Sequence, residues 1–468
     1  MSLLIKNARV ITGEKDYVSD VYAERDVISA IGMNLEVGAE TIIDGTGKFL
    51  IPGGVDIHTH MDLPFGGICS SDDFETGTIA AAHGGTTTIV DFAVQSRGTS
   101  MQYGLDVWKA KAEGKCCIDY GFHLILTEFS VDQLAEMDKM VKHEGVTTFK
   151  LFTAYPGVYM VDDATILRAL KQSADNGALI CMHAENGHVV DQSVKRFLSE
   201  GKTAPNFHAL AHTEDAEEEA TRRVITLSEK AGVPIYIVHV SSRKAMEQIR
   251  AARRRGTPAF GETCPQYLFL SYEEYSDGSF EGAKYVCSPP IREQSHQEHL
   301  WNALETNDLQ AVATDHCPFC MKEGFKGLPK QKELGMTDFS KIPNGVPGVE
   351  NRLHLLYEGG VVKRGWSMNR FVQLVSATPA KLMGLFPRKG TIAVGSDADL
   401  VLWDPRRPYT ISANTHFMRV DYNLYEGMRV SGSPTTVTSR GKIVFEFDKF
   451  TGRSGSGKFI RRGHPEFP

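Results

Sequence analysis

Apolar runs recur through the middle of the chain at the spacing of β/α units. They are Ile57–His60, Thr86–Ala93, Ile118–Leu126, Thr148–Phe152, Ala178–His183, Pro234–Val240, Ala259–Cys264 and Ala311–Asp315. Stretches with helical periodicity lie between them, among them Val131–His143, Ala164–Asn176, Thr213–Ala231 and Lys244–Arg255. Near-continuous apolar strands that alternate with helices are typical of a buried parallel sheet. Eight of them predict an α/β fold, a (β/α)8 TIM barrel.

The two ends of the chain follow another pattern, in which short strands are separated by turns. The predicted strands are Leu3–Thr12, Tyr22–Ile31 and Thr41–Leu50, the last with a turn at Asp44–Gly47, and a similar composition returns at Gly390–Pro405, Thr435–Ser439 and Lys442–Phe447. We therefore expect residues 1–52 and 386–450 to form one small β-sandwich domain. Residues 53–385 would form the barrel, and residues 451–468 a C-terminal tail.

That tail contains Gly452–Phe459, which nearly spells a phosphate-binding loop. However, Phe459 occupies the position that requires Ser or Thr, and no strand and helix flank the segment. We therefore expect a flexible tail without phosphate chemistry.

Composition and charge narrow the class of protein. The 468 residues are 41% hydrophobic and 23% charged, which is typical of a soluble globular protein. A net charge of −7 argues against a nucleic-acid partner. No run approaches the roughly 20 apolar residues of a membrane span, and the N-terminus does not resemble a signal peptide. The eight scattered cysteines fit reduced thiols, so we expect a cytoplasmic protein.

The first barrel strand ends in His58-Thr-His60, which places two imidazoles on one face of the strand. Such a pair suits a divalent transition metal, although a hydrogen-bonded pair in the core would show the same spacing. Other predicted strands also carry metal-binding or ionisable residues near their C-terminal ends, namely Lys150, His183, His239 and Asp315. Because the C-terminal ends of barrel strands meet on one face, the sequence predicts a metal site there.

Two of these residues allow more than one interpretation. Lys150 lies between apolar neighbours, where its side chain either extends to the rim or stays buried as a neutral amine. A neutral amine can react with carbon dioxide to form a carbamate (N6-carboxylysine), which can bridge two metal ions. Asp315 is either a metal ligand, a helix cap, or a group that transfers a proton at the metal site.

With these residues assembled, the chain resembles the dihydropyrimidinase / D-hydantoinase family of the amidohydrolase superfamily over essentially its whole length. The segments that carry the resemblance are Gly54–Gly67, Phe149–Tyr155, His183–Gly187, Ile237–Ser242, Glu262–Leu268, Ala313–Pro318 and Lys341–Glu350.

The resemblance implies a binuclear site, usually with two Zn²⁺ ions and a bridging hydroxide. One ion would be held by His58, His60, carboxylated Lys150 and Asp315, and the other by Lys150, His183 and His239. It also implies that Tyr155 stabilises an oxyanion, that Ser288 and Asn344 bind the substrate ring, and that Asp315 transfers the proton. The family further implies a homotetramer, with the tail packed on a neighbouring subunit.

The implied reaction opens dihydropyrimidines or 5-substituted hydantoins to N-carbamoyl amino acids. An apolar lid would come from Leu63, Phe65, Phe152 and Tyr159, which are otherwise ordinary loop-packing residues. A dihydroorotase would carry an Arg directly after the His-x-His pair, where this chain has Met61. Three alternatives remain: an allantoinase, an amidohydrolase that acts on a different cyclic ureide, and a non-catalytic scaffold relative.

Overall fold

The computed structural model describes residues 2–468, in which the strands form two large sheets and two short ribbons. The strands are β1 (Ser2–Ile11), β2 (Asp16–Glu24), β3 (Val27–Gly32), β4 (Thr41–Asp44), β5 (Phe49–Pro52), β6 (Gly54–Thr59), β7 (Pro64–Phe65), β8 (Ile68–Cys69), β9 (Thr86–Gln95), β10 (Asp119–Leu126), β11 (Thr148–Phe152), β12 (Leu179–His183), β13 (Ile235–Ile237), β14 (Ala259–Thr263), β15 (Ala311–Val312), β16 (Leu400–Asp404), β17 (Tyr409–Thr410), β18 (Arg429–Val430), β19 (Ser433–Ser439), β20 (Lys442–Glu446) and β21 (Lys449–Phe450).

Helices connect most of the barrel strands. The α-helices are α1 (Phe74–His83), α2 (Met101–Ala112), α3 (Leu134–Lys139), α4 (Asp163–Asn176), α5 (Gly187–Ser199), α6 (Asn206–Ala211), α7 (Glu214–Ala231), α8 (Arg243–Arg254), α9 (Pro265–Phe269), α10 (Gln297–Glu305), α11 (Arg352–Leu356), α12 (Met368–Val372) and α13 (Thr378–Leu382). Short 3-10 turns cover Val131–Gln133, Tyr272–Tyr275, Phe280–Tyr285, Gln294–His296, Phe325–Gly327, Gln331–Gly335 and Phe339–Lys341. Wider π-helical turns cover Met140–Glu144, Tyr357–Val362 and Gln373–Ala377. No helix among the described residues is long and apolar enough to cross a membrane.

The barrel consists of eight parallel strands in the order β6-β9-β10-β11-β12-β13-β14-β15, so the predicted barrel is confirmed. Each predicted apolar run overlaps one of them. The seam between the first and last strands closes where His60 N donates to His316 O at 2.9 Å. Beside it, the buried Asp56 carboxylate accepts hydrogen bonds from Thr314 N (3.2 Å) and Thr314 Oγ1 (2.7 Å).

A second sheet joins the two ends of the chain, as expected. Its order is β21-β20-β19-β16-β5-β1-β2-β3, with β4 paired to β1. Buried apolar side chains from both ends pack on it, among them Leu3, Val21, Leu50, Leu400 and Leu402. The small β domain built from both termini is thereby confirmed, whereas its boundaries at residues 52, 386 and 450 stay predictions.

Three local expectations were wrong. Of the β-like segment Gly390–Pro405, only Leu400–Asp404 forms a strand. The single strand Tyr22–Ile31 is interrupted by a turn, because Arg25 adopts a left-handed conformation with φ of 59° and separates β2 from β3. The helix Val131–His143 is divided into 3-10, α and π turns, and Val131 remains 68% exposed.

The C-terminal tail is not a free segment, which corrects the expectation of flexibility. Ile460 N donates to Tyr120 O at 2.7 Å, and the buried Arg462 donates to Thr148 Oγ1 at 2.7 Å. Tyr120 and Thr148 lie at the N-terminal ends of their strands. The tail therefore packs across the end of the barrel opposite to the predicted site, within its own subunit.

Candidate active site

The C-terminal ends of the barrel strands surround a cavity of about 590 Å³. Its lining includes the sequence-predicted residues His60, Leu63, Phe65, Lys150, Phe152, Tyr155, Tyr159, His183, His239, Ser288, Asp315 and Asn344. His58, the remaining predicted residue, lies directly behind the wall and contacts Asp315. The fold therefore brings every predicted site residue to one place, although their individual roles stay predictions.

One half of the site is formed by His58, His60 and Asp315. Asp315 Oδ1 lies 3.1 Å from His58 Nε2 and 3.2 Å from His60 Nε2. The three side chains are buried, and their ligand atoms all lie within 4.8 Å of one another. Two imidazoles and a carboxylate that converge in this way suit a divalent metal ion.

The other half is formed by His183 and His239, whose facing ring nitrogens Nδ1 and Nε2 lie 2.9 Å apart. Both rings are buried. Lys150 lies between the two halves, with Nζ 3.0 Å from His58 Nε2. A group attached to the Lys150 nitrogen would therefore reach His58 and His60 on one side and His183 and His239 on the other.

Burial keeps three of the four imidazoles in the state that binds metals, whereas at His58 the lowering by burial and Lys150 is outweighed by Asp315 and Glu262, which raise its pKa. Loss of solvent lowers the pKa of His60 to about 4 and also lowers the pKa of His183 and, strongly, that of His239. Burial alone would raise the pKa of Asp315, but His58 and His60 hold it well below its usual range. Neutral imidazoles beside an ionised carboxylate are the protonation states that metal binding requires.

Lys150 is 2% exposed and lies in the middle of β11. Its Nζ lies over the rings of Phe92, at 4.2 Å from the centroid, and Phe152, at 5.0 Å. Burial lowers the pKa of this lysine. The side chain therefore does not extend to solvent, which excludes the rim interpretation.

Three residues of the site have left-handed backbone conformations. The φ angles are 63° for Tyr155, 41° for His239 and 52° for Asp315. Such angles cost about 1–3 kcal/mol each in non-glycine residues and cluster at functional sites. They follow the ends of the strands, where the chain turns and directs a side chain across the cavity.

Polar groups that suit a small ring lie beside the histidines, since the rings of Tyr155 and His183 have centroids 5.4 Å apart. Asn344 Nδ2 donates to Ser288 Oγ at 3.2 Å, and both side chains lie within hydrogen-bonding reach of the Tyr155 hydroxyl. Burial raises the pKa of Tyr155, so its hydroxyl stays protonated and remains a donor at neutral pH. The arrangement provides one hydroxyl donor and two polar loops on the same side of the cavity.

The predicted lid residues lie at the mouth of the cavity. Phe152 stacks on Tyr159 and on His183, with ring centroids 5.1 Å apart in each case. Phe65 contacts Phe319 edge to face at 5.9 Å. Together with the half-buried Leu63, these rings form an apolar wall next to the polar groups.

Sequence reasoning missed the carboxylates that orient the histidines. The fully buried Glu262 forms a short hydrogen bond with His58 Nδ1. Glu185 contacts His183 Nε2 at 3.0 Å and His212 Nδ1 at 2.9 Å. Such partners fix the ring orientation of metal-binding histidines. The sequence did contain a signal for Glu262, because it is a charged residue inside the apolar run Ala259–Cys264. Lys150 was singled out for the same reason.

A parallel eight-stranded barrel with this cluster at its C-terminal face defines the class of barrel proteins with a candidate divalent-metal site. The chain belongs to the amidohydrolase family, whose model matches residues 49–444.

Two curated relatives and one solved structure illustrate how closely the chain follows this family. A D-hydantoinase from Streptomyces coelicolor is 52% identical over 464 residues, with 98% of this chain and 97% of that protein covered. A dihydropyrimidinase from Rattus norvegicus is 41% identical, with 98% and 88% covered. The crystal structure of a dihydropyrimidinase from Brevibacillus agri superposes with a TM-score of 0.97, at 47% identity and full coverage of both chains.

These comparisons confirm the resemblance that the motifs indicated. The chain is a hydrolase of the amidohydrolase family and groups with the D-hydantoinases and dihydropyrimidinases.

Proposed function

We propose that the protein opens the ring of cyclic ureides, dihydropyrimidines or 5-substituted hydantoins, to give N-carbamoyl amino acids. The observation that carries the proposal is the cavity of about 590 Å³ that combines buried histidines, a carboxylate, a hydroxyl donor and an apolar wall. The names of the relatives, D-hydantoinase and dihydropyrimidinase, support the same substrate class.

The donor set of the site fits two divalent ions, and we propose Zn²⁺. His58, His60 and Asp315 would hold one ion, and His183 with His239 would hold the other. When bound, the ions would lower the pKa of a water and so supply a nucleophile at neutral pH.

We further propose that Lys150 is carboxylated and bridges the two ions. Its buried amine would add to carbon dioxide: the nitrogen forms a bond to carbon, releases a proton, and becomes an anionic carbamate. This conversion replaces a buried cation, which is costly without a partner, with a group that carries ligand oxygens. The lowered pKa of Lys150 favours the neutral amine that this addition needs.

The other residues would bind and polarise the substrate. Backbone groups at Ser288 and Asn344 would hold the ring imide, which places the carbonyl next to Tyr155. The Tyr155 hydroxyl would donate a hydrogen bond to that oxygen as it gains charge, an interaction worth about 3–4 kcal/mol in comparable sites. Asp315 would hold the proton lost by the nucleophile and deliver it to the ring nitrogen as the C–N bond breaks.

The lid residues Leu63, Phe65, Phe152 and Tyr159 would contact the substituent on the ring. Their apolar surface favours alkyl or aromatic groups over charged ones. The size of this pocket would then decide between small and bulky ring substituents.

We also propose a cytoplasmic homotetramer with the domain division expected from the sequence. The eight cysteines, none of which forms a disulfide within residues 2–468, fit a reducing compartment. The tetramer rests on the family resemblance, and light scattering on the purified protein tests it directly.

The proposed function is tested with a panel of cyclic ureides and metal analysis on the same sample. We expect two divalent ions per subunit and turnover of dihydrouracil or substituted hydantoins. A preference for allantoin would favour an allantoinase instead. A protein that binds no metal and is inert on the whole panel would support the scaffold alternative and refute the proposal.

A further inference from the structure

Lys332 is a buried lysine to which the site described above assigns no role. It lies in the 3-10 turn Gln331–Gly335, and its side chain is fully buried. Its Nζ lies 2.7 Å from Pro343 O, 2.9 Å from Gly345 O and 3.3 Å from Val286 O. The amine thus donates to three backbone carbonyls and bridges segments that are distant in the chain.

Those carbonyls belong to the two loops that carry Ser288 and Asn344. Pro343 and Gly345 flank Asn344, and Val286 lies two residues before Ser288. The loops also contact each other directly, because Gly345 N donates to Val286 O at 2.9 Å. Lys332 therefore lies at the junction of both loops without lining the cavity.

The three carbonyl acceptors of this junction suit an ammonium group. Three acceptors match the three N–H donors of a charged lysine, whereas a neutral amine has only two. Burial lowers the pKa of Lys332 to about 7, and no carboxylate in residues 2–468 forms an ion pair with it. The titratable neighbours are the thiols of Cys287 and Cys317, whose pKa values burial raises, and His208, whose pKa burial lowers, so all three are neutral.

An uncompensated buried ammonium destabilises a fold, and an apolar side chain of equal length would fill the same space. The contribution of Lys332 is therefore the set of three hydrogen bonds, and these act on the relative position of the two loops.

We propose that Lys332 is a positioning residue for substrate binding, which holds the Ser288 loop and the Asn344 loop at the separation that fits a ring imide. This inference rests on the proposed function for the identity of the ring. Lys332 itself would touch neither the substrate nor the reacting atoms.

The test compares Lys332→Met with Lys330→Met. Methionine keeps the volume of Lys332 and removes its donors. Lys330 lies just before the same turn, where its Nζ is 3.8 Å from Glu333 Oε1 and 5.8 Å from the ring centroid of Phe280, away from both loops. For Lys332→Met we expect KM for the preferred cyclic ureide to rise about tenfold or more, because buried acceptors lose their partner. The value of kcat should stay within about threefold, because the histidines and Asp315 are untouched. Lys330→Met should match the wild type in both.

Hydrogen exchange supplies a readout that does not depend on turnover. We expect Lys332→Met to accelerate amide exchange in residues 286–288 and 343–346, with the barrel strands unchanged. An unchanged KM together with unchanged exchange would overturn the proposal. So would a loss confined to kcat, or faster exchange throughout the barrel, since either would indicate a role other than loop positioning. If the wild type hydrolyses no cyclic ureide, the proposed function fails, while the exchange data still decide whether Lys332 positions the loops.

Discussion

Glu262 provides the sharpest test of how the chain orients its histidines. Its carboxylate accepts a hydrogen bond at each oxygen: Oε1 bonds His58 Nδ1, and Oε2 accepts from the Tyr236 hydroxyl at 3.0 Å. With Nδ1 fixed in this way, His58 Nε2 faces Asp315 and Lys150. Glu262→Gln keeps the size of the side chain but removes the charge that holds the proton on Nδ1.

The expected loss of metal affinity follows from the one histidine affected. In Glu262→Gln, His58 loses the charged partner of its ring, and loss of such a partner typically weakens metal affinity 10–100-fold, about 1.4–2.7 kcal/mol. The proposed ion at His183 and His239 should be less affected, because His183 pairs with Glu185 and His239 reaches Glu262 only through its backbone N, at 3.4 Å. We therefore expect one of the two ions to be released at lower chelator concentration.

The assay is metal content per subunit after equilibration with chelators of graded strength. Tyr236→Phe is the matched control, because it removes the other hydrogen bond of the same carboxylate and leaves His58 paired. We expect this control to shift metal retention much less than Glu262→Gln. Equal retention in Glu262→Gln and the wild type, at both ions, would refute the assigned role of Glu262.

Three further predictions concern the pocket, the reaction and stability. Phe152→Ala should change the ratio of kcat/KM between bulky and small hydantoins by about tenfold; an unchanged ratio would remove Phe152 from the substituent pocket. Tyr155→Phe should lower kcat about 10²–10³-fold, measured at saturating substrate, because the oxyanion loses its hydroxyl donor; a kcat near that of the wild type would exclude this role. Burial opposes protonation of His83, yet hydrogen bonds with Asp448 and Glu350 raise its pKa to about 9. The folded pKa thus exceeds the unfolded value of about 6.5. Protonated His83 therefore adds about 3 kcal/mol to the free energy of unfolding; this stabilisation is complete below pH 6.5 and is lost as pH rises through about 9. Urea unfolding measured from pH 6 to pH 10 should show this fall in the free energy of unfolding for the wild type and not for His83→Gln. The same pH dependence in both proteins would contradict the role of His83.

Much of the architecture was predictable because strand periodicity and burial leave a local record. The eight barrel strands coincide with apolar runs, since a strand buried on both faces needs apolar residues at successive positions. The metal-site candidates were also predictable, because histidines or a lysine inside an apolar run need a chemical reason. The turn at Arg25 was not, since a left-handed non-glycine residue has no reliable signature in composition.

Long-range partners could not be predicted from local pattern. Glu262 meets His58 across 204 positions of sequence, and Lys332 meets Val286 across 46. The C-terminal tail, polar and rich in glycine, has the composition of a free end, yet Arg462 is buried against Thr148 across 314 positions.

The sequence by itself determined the class of fold, the terminal sheet and the residues that meet at the C-terminal face of the barrel. These follow from side-chain periodicity and from the rule that parallel strands present their ends together. Only the tertiary structure decided which carboxylate orients which histidine, that Lys150 is buried, and that Lys332 joins the loops of Ser288 and Asn344. Such choices depend on distances between segments remote in the chain, and closure of the barrel fixes those distances.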